Sequence, residues 1–257
     1  MNIKRIWAIA TNTFREVFRD RILYLAGLFA ILLVLAVVLL SEVSAGAENK
    51  ITLDLGLAAI ELFGLIVAVF VGTGLVSKEI EKRTALVLIA KPMSRTEFIA
   101  GKHVGLSAAL TLLVTLMTAI YLIVMSLKQF QYPLDSLLMA TVYIVLELSL
   151  VTAAAILFSV FTSSLVATTL TFAIYLMGHF SQNLVTLSRT IQNPAVQQMV
   201  KGIYLVFPDL SRLNLKNEAV YGSLPNTTTL LANAGYGLLY IVLLLAVAIF
   251  IFSYREF

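Results

Sequence analysis

Long apolar blocks separated by short charged segments dominate this chain. Ile22 to Ser41 holds no charge between Arg21 and Glu42, and a membrane-crossing helix needs about 20 predominantly apolar residues. Asp54 to Lys78 brackets a second block, interrupted only by Glu61, and Lys102 to Lys128 brackets a third. From Asp135 to Arg189 only Glu147 is charged, a stretch too long for one helix. The polar break Phe161-Thr-Ser-Ser164 divides it into two spans, which a short turn makes an antiparallel hairpin. A last block runs from Leu230 to Tyr254 and ends at Arg255. The pattern predicts six transmembrane helices, over 22–42, 55–77, 103–127, 136–160, 165–187 and 230–254.

Two flanking segments carry a different periodicity. Within residues 1–21, Ile3, Ile6, Trp7, Ala10, Phe14, Val17 and Phe18 recur at three- and four-residue steps, while Lys4, Arg5, Asn12, Arg15 and Arg19 take other faces. That is an amphipathic helix with a basic polar face, suited to the headgroup region, where the single tryptophan also belongs. Residues 78–102 form a charge-dense loop. Glu79 to Ile89 has helical composition, Pro92 ends it, and Ser94-Arg-Thr-Glu97 matches a capping box that starts a second helix at Arg95. The loop reads as helix, proline elbow, helix. Six basic residues would serve as a topological tether, but Glu79, Glu81, Glu97 and a capped elbow exceed what a tether needs and favour a docking role. The 188–229 segment is too mixed to span, and Ser188 to Phe207 suggests an interfacial helix interrupted at Pro194.

Composition agrees with lipid as the solvent. The chain has 257 residues, 60% hydrophobic and 12% charged, with a mean hydropathy of +0.96; soluble domains carry about 25% charged residues. The class is therefore an all-α polytopic membrane protein forming one domain over 1–257. With the N-terminus inside, the inner segments hold twelve of the 18 Lys and Arg residues and the outer segments six, so both termini are expected in the cytoplasm. The net charge of +4 reads as topology and affinity for anionic membrane lipids, not as nucleic-acid binding. Cysteine is absent, which excludes disulfides, thiolate metal sites and cysteine nucleophiles. The N-terminal stretch does not read as a cleavable signal peptide, since its charged region runs to Arg21 and no small-residue cleavage site follows.

The run Gly72-Thr-Gly-Leu-Val-Ser-Lys-Glu-Ile-Glu-Lys-Arg-Thr84, with Lys91-Pro-Met-Ser-Arg-Thr-Glu-Phe98 and Gly101-Lys102, resembles the permease subunits of type-2 ABC exporters. Phe207-Pro-Asp-Leu210, Asn214-Leu-Lys216 and Tyr221-Gly222 are similar to a subgroup that includes permeases of the copper-enzyme maturation type. The resemblance covers essentially the whole chain. It implies a permease that pairs with a second permease subunit, as homo- or heterodimer, and rests on a separate ABC ATPase. It also implies a place in the bacterial inner (plasma) membrane. ATP and magnesium would sit on that partner, with no cofactor on this chain. The inner elbow would act as a coupling helix, with Glu79, Lys82, Arg83, Pro92, Ser94, Arg95 and Glu97 at the ATPase contact. The chain itself has no P-loop, because Gly72 to Lys78 lacks the second glycine and the hydroxyl residue.

Glu61 and Glu147 stand inside spans, where a charge at mid-bilayer costs roughly 2.5–3.5 kcal/mol on insertion scales. Either they line a substrate or proton pathway, or they are helix-packing contacts with Ser, Thr or Tyr of a neighbour. The position of Glu61, soon after Asp54, suggests the outer leaflet, and Glu147 lies nearer mid-span. His179 falls near the outer end of span five and suits an interfacial hydrogen bond; His103 receives no role. No metal-ligand spacing appears, and no catalytic set: Ser181 is too close to His179 along one helix to face it. The competing class is a self-sufficient proton-coupled secondary transporter or channel using Glu147, Glu61 and His179. No repeat of the first three spans in the last three, and no proline inside any span, argue against it. Lipid, peptide, drug, sugar polymer or a sulfur species all fit as substrate.

Overall fold

The computed structural model describes residues 2–19, 22–43, 48–81, 94–181, 195–198, 202 and 207–254, with backbone only at 41–43 and 78–81. Among these residues every long element is a helix, and no strand occurs. Helix α1 is Ile3–Arg19, α2 Leu23–Val43, α3 Glu48–Glu81, α4 Arg95–Leu127, α5 Leu134–Phe161 and α6 Ser164–His179. A 3-10 turn at Leu210–Arg212 and the short α7, Lys216–Tyr221, precede α8, Thr227–Tyr254. Five of these, α2, α3, α4, α5 and α8, are long and apolar enough to cross a membrane. Helix α6 has 16 residues, about 24 Å at 1.5 Å per residue, short of a hydrocarbon core about 30 Å thick. The span expected over 165–187 is thus helical to His179, where the Phe180 amide closes on the Leu176 carbonyl. Helix α3 is longer than expected at both ends: no helix breaker stands between Glu48 and Asp54, and its apolar part runs directly into the strong helix formers at 78–81.

Helix α5 is the centre, packed against α3, α4, α6, α7 and α8. Of its apolar stretch 72% is buried, against 22% for α2 and 28% for α8, which therefore face outward. The outward side chains are apolar, among them Leu35, Val38, Leu39, Leu239, Val242 and Phe250. A row of this kind suits lipid and not water. Without a hydrophobic drive between helices in lipid, close backbone approach and interhelical hydrogen bonds hold the bundle together. Gly64 of α3 admits Leu148 of α5 so closely that a Cβ there would lie 2.3 Å from its Cδ1. Tyr121 of α4 donates to the Leu53 carbonyl of α3, and Ser107 meets Ser149 across α4 and α5.

Helix α1 is not confined to a surface role. It packs along the first three turns of α4, burying Ala10, Thr13 and Val17. The contact uses Gly101 and Gly105, the small-xxx-small spacing that brings two backbones together. Ile3 and Trp7 remain exposed on α1, leaving an apolar face for lipid.

A Cβ on Gly105 would lie 2.5 Å from the Ala10 carbonyl oxygen, whereas one on Gly27 of α2 would meet nothing within 4 Å. Gly105→Val is therefore expected to destabilise the protein by about 1–3 kcal/mol, and Gly27→Ala to leave stability unchanged. Thermal unfolding of the two variants in detergent checks this; equal melting would contradict the packing.

Candidate functional site

Two clusters of polar side chains lie at different levels of the bundle. The first is where α4 begins. Ser94 is extended, its hydroxyl accepts from the Glu97 amide at 3.1 Å, and the Glu97 carboxylate accepts from the Ser94 amide at 3.1 Å, completing the capping box. Glu97 is buried; it also accepts from the Asn2 amide at 2.7 Å and lies 3.8 Å from Arg5, which ties α1 to α4. Arg95 donates to the carbonyls of Phe252 (2.8 Å) and Ser253 at the end of α8, and Phe98 stacks on Phe252. One turn of α4 thus clasps the start of α1 and the end of α8. Of the residues expected at a partner contact, Ser94, Arg95 and Glu97 meet here. Lys82, Arg83 and Pro92 lie outside the described residues, as does the side chain of Glu79.

The second cluster joins α3, α5 and α6. His179 Nε2 lies 3.4 Å from Glu61 Oε1 and 3.4 Å from Glu147 Oε1. Tyr175 donates its hydroxyl to Glu61 Oε1 at 2.5 Å, and Lys216 of α7 forms an ion pair with Glu61. Both carboxylates are buried, at 2% exposure for Glu61 and 0% for Glu147. The antiparallel α5–α6 hairpin explains the meeting of Glu147 and His179. Glu147 lies 14 residues before Phe161 and His179 lies 15 after Ser164, so both stand about 21–22 Å from the hairpin turn. Considered separately in the sequence, Glu61, Glu147 and His179 are brought by the fold to one level, where the histidine reaches both carboxylates. The expectation of no metal ligands rested on local spacing; the fold brings three ligand-type groups within 4.8 Å of one another.

The 207–222 segment closes over this cluster, at the bundle end opposite Ser94, where Gly222 approaches Pro133 of the α4–α5 connection. Asp209 accepts from Ser181 (2.5 Å), from Ser211 and from Arg212 Nε (3.1 Å), and its amide donates to Tyr236 of α8 at 2.8 Å. A Cβ on Gly178 would lie 2.8 Å from the Pro208 carbonyl, so this glycine lets the segment seat on α6. Burial pushes the Asp209 carboxyl up, but the hydrogen bonds from Ser181, Ser211 and Arg212 outweigh it and hold the group below its usual range. Tyr175 carries no local signature, and Asp209 and Lys216 stand in the sequence only within the stretches similar to a permease subgroup, with no role attached.

Residues 7–257 match the family described as ABC-2 family transporter protein. The chain belongs to that family. It is the membrane component of an ABC-2 transporter, an integral multi-pass permease, and not itself the catalyst of ATP hydrolysis. No curated protein matches the chain. In this permease α2, α3, α4, α5 and α8 are, among the described residues, the helices long enough to cross the membrane, and α6 is a shorter apolar helix. The motif residues Ser94, Arg95 and Glu97 build the clasp between α1, α4 and α8.

The depressed Asp209 carboxyl stabilises the folded 207–222 segment above its unfolded pKa, near 4, and that contribution is lost as pH falls through the lower folded value. Asp209→Asn is expected to speed amide exchange across 207–222 at neutral pH, and acidification from about pH 4 to speed it in the natural chain but not in the variant. Hydrogen exchange, corrected for the intrinsic pH dependence, measures both; an acid response that the Asn variant shares would contradict the assignment.

Proposed function

We propose that this permease is the transmembrane half of an ATP-driven exporter. It pairs with a separate ABC ATPase and a second permease subunit, and moves its substrate by alternating access across the bacterial inner membrane. The clasp carries this reading: a single turn, Arg95 to Phe98, holds the start of α1, the start of α4 and the end of α8. The segment 82–93 precedes that turn directly. A push on that segment by an ATPase would reach three helices together. The basic residues on that side favour a cytoplasmic position for it. Mixed-sign charges there suit a register-setting, wet interface.

Helix α3 carries the same motion to the other end. It is continuous from Glu48 to Glu81, and the 20 residues from Glu61 to Glu81 make a rod of about 30 Å. The buried carboxylates and the 207–222 segment over them form the extracytoplasmic gate. The meeting of Glu61, Glu147 and His179 also favours a second reading, a proton-coupled secondary transporter working without an ATPase; in that case transport would follow a proton gradient and ignore ATP.

Arg95→Gln and Glu97→Gln loosen the clasp without placing a new charge. Each is expected to lower permease-dependent ATP hydrolysis in reconstituted liposomes about five- to a hundredfold, the size of typical coupling energies, with the assembled complex still eluting intact. Unchanged turnover in both variants would contradict the transmission route.

A further inference from the structure

We propose that Glu61, Glu147 and His179 form a binding site for a single divalent first-row transition cation of the zinc type, for which the Lys216 ammonium is a built-in competitor. The inference does not depend on the ATPase pairing. Each ligand comes from a different helix, α3, α5 and α6, so the set is held by rigid elements. The Nε2 to Oε1 distances, 3.4 Å to each glutamate, match the edge of a tetrahedron whose metal–ligand bonds are about 2.0–2.1 Å, which is about 3.4 Å. They are too long for charge-assisted hydrogen bonds, which run at about 2.7–2.9 Å.

The histidine is set for a ligand. Its Nδ1 lies 3.2 Å from the Tyr175 carbonyl. A carbonyl only accepts, so Nδ1 carries the hydrogen, which leaves Nε2 as the nitrogen that faces the two carboxylates. An Nε2 set between two carboxylates calls for positive charge there, supplied by a proton or by a metal cation. A backbone carbonyl fixing one ring nitrogen while the other faces a cation is the usual support of a metal-bound histidine. Tyr175 supports the second ligand in the same way, through its hydroxyl on Glu61.

Glu147 is the independent sign that a partner belongs here. It is fully buried, and neither of its carboxylate oxygens makes a hydrogen bond. Lys216 contacts Glu61, not Glu147, so the lysine matches the charge of Glu61 and leaves that of Glu147 unmatched whenever Glu147 is ionised. A divalent cation matches both, and neutrality is then reached with Lys216 withdrawn. Cation binding would therefore favour release of α7 from Glu61. One imidazole and two carboxylates suit zinc, cobalt(II) or manganese(II), and offer nothing to a thiolate-seeking ion.

The test is cobalt(II) titration of the chelator-treated full-length permease in detergent, followed by zinc. The expected result is one cobalt per chain with the visible absorption of a four-coordinate site, displaced by zinc and lost in Glu147→Gln and His179→Gln. Lys216→Gln removes the competing charge and should tighten cobalt binding about tenfold or more. A folded natural chain that takes up no cobalt would show that the site holds a proton or the lysine only and overturn the proposal. So would uptake that survives both ligand variants, or cobalt affinity unmoved by Lys216→Gln.

Discussion

Two carboxylates buried at the middle of a helix bundle in lipid need opposite charge or hydrogen bonds close at hand, because no water is there to solvate them. Much of the architecture opposite Ser94 follows from that demand. Helix α6 ends at His179, level with Glu147. The 207–222 segment covers this level and brings Lys216 to Glu61. Asp209, Ser181 and Tyr236 then fasten the segment to α6 and α8. The charge cluster and the covering segment are one construction, and neither makes physical sense alone.

At the other end the constraint is different. A helix start leaves backbone amides without partners, and Glu97 meets this by accepting from two amides, one of its own cap and one from the start of α1. Arg95 answers the complementary need at the end of α8, whose last carbonyls have no partner within the helix. Satisfying two helix termini with one turn of a third makes that turn a mechanical junction. Helix α3, continuous from Glu48 to Glu81, runs from the level of the carboxylates toward the end where the clasp lies.

The residue pattern revealed the parts of this fold whose causes are local. Long uncharged blocks marked the spans, since lipid demands them wherever the chain crosses. The capping box at Ser94 was legible because both of its hydrogen bonds lie within one turn. The end of α6 at His179 was not legible, because nothing in the residues around His179 marks a helix end. Nor was the meeting of Glu61, Glu147, His179 and Lys216, which come from four helices far apart in sequence and meet only through packing. The Gly101–Gly105 seam was not read either, since only α1 lying against it gives the spacing a meaning.

The account holds that this chain is one half of a two-component machine, driven from the Ser94 side. The most direct measurement is a mild-detergent purification of the tagged chain from its native host, with mass spectrometry of the proteins that accompany it. The account predicts a P-loop ATPase in stoichiometric amount. A chain that purifies alone and still moves solute into liposomes under a proton gradient would contradict it.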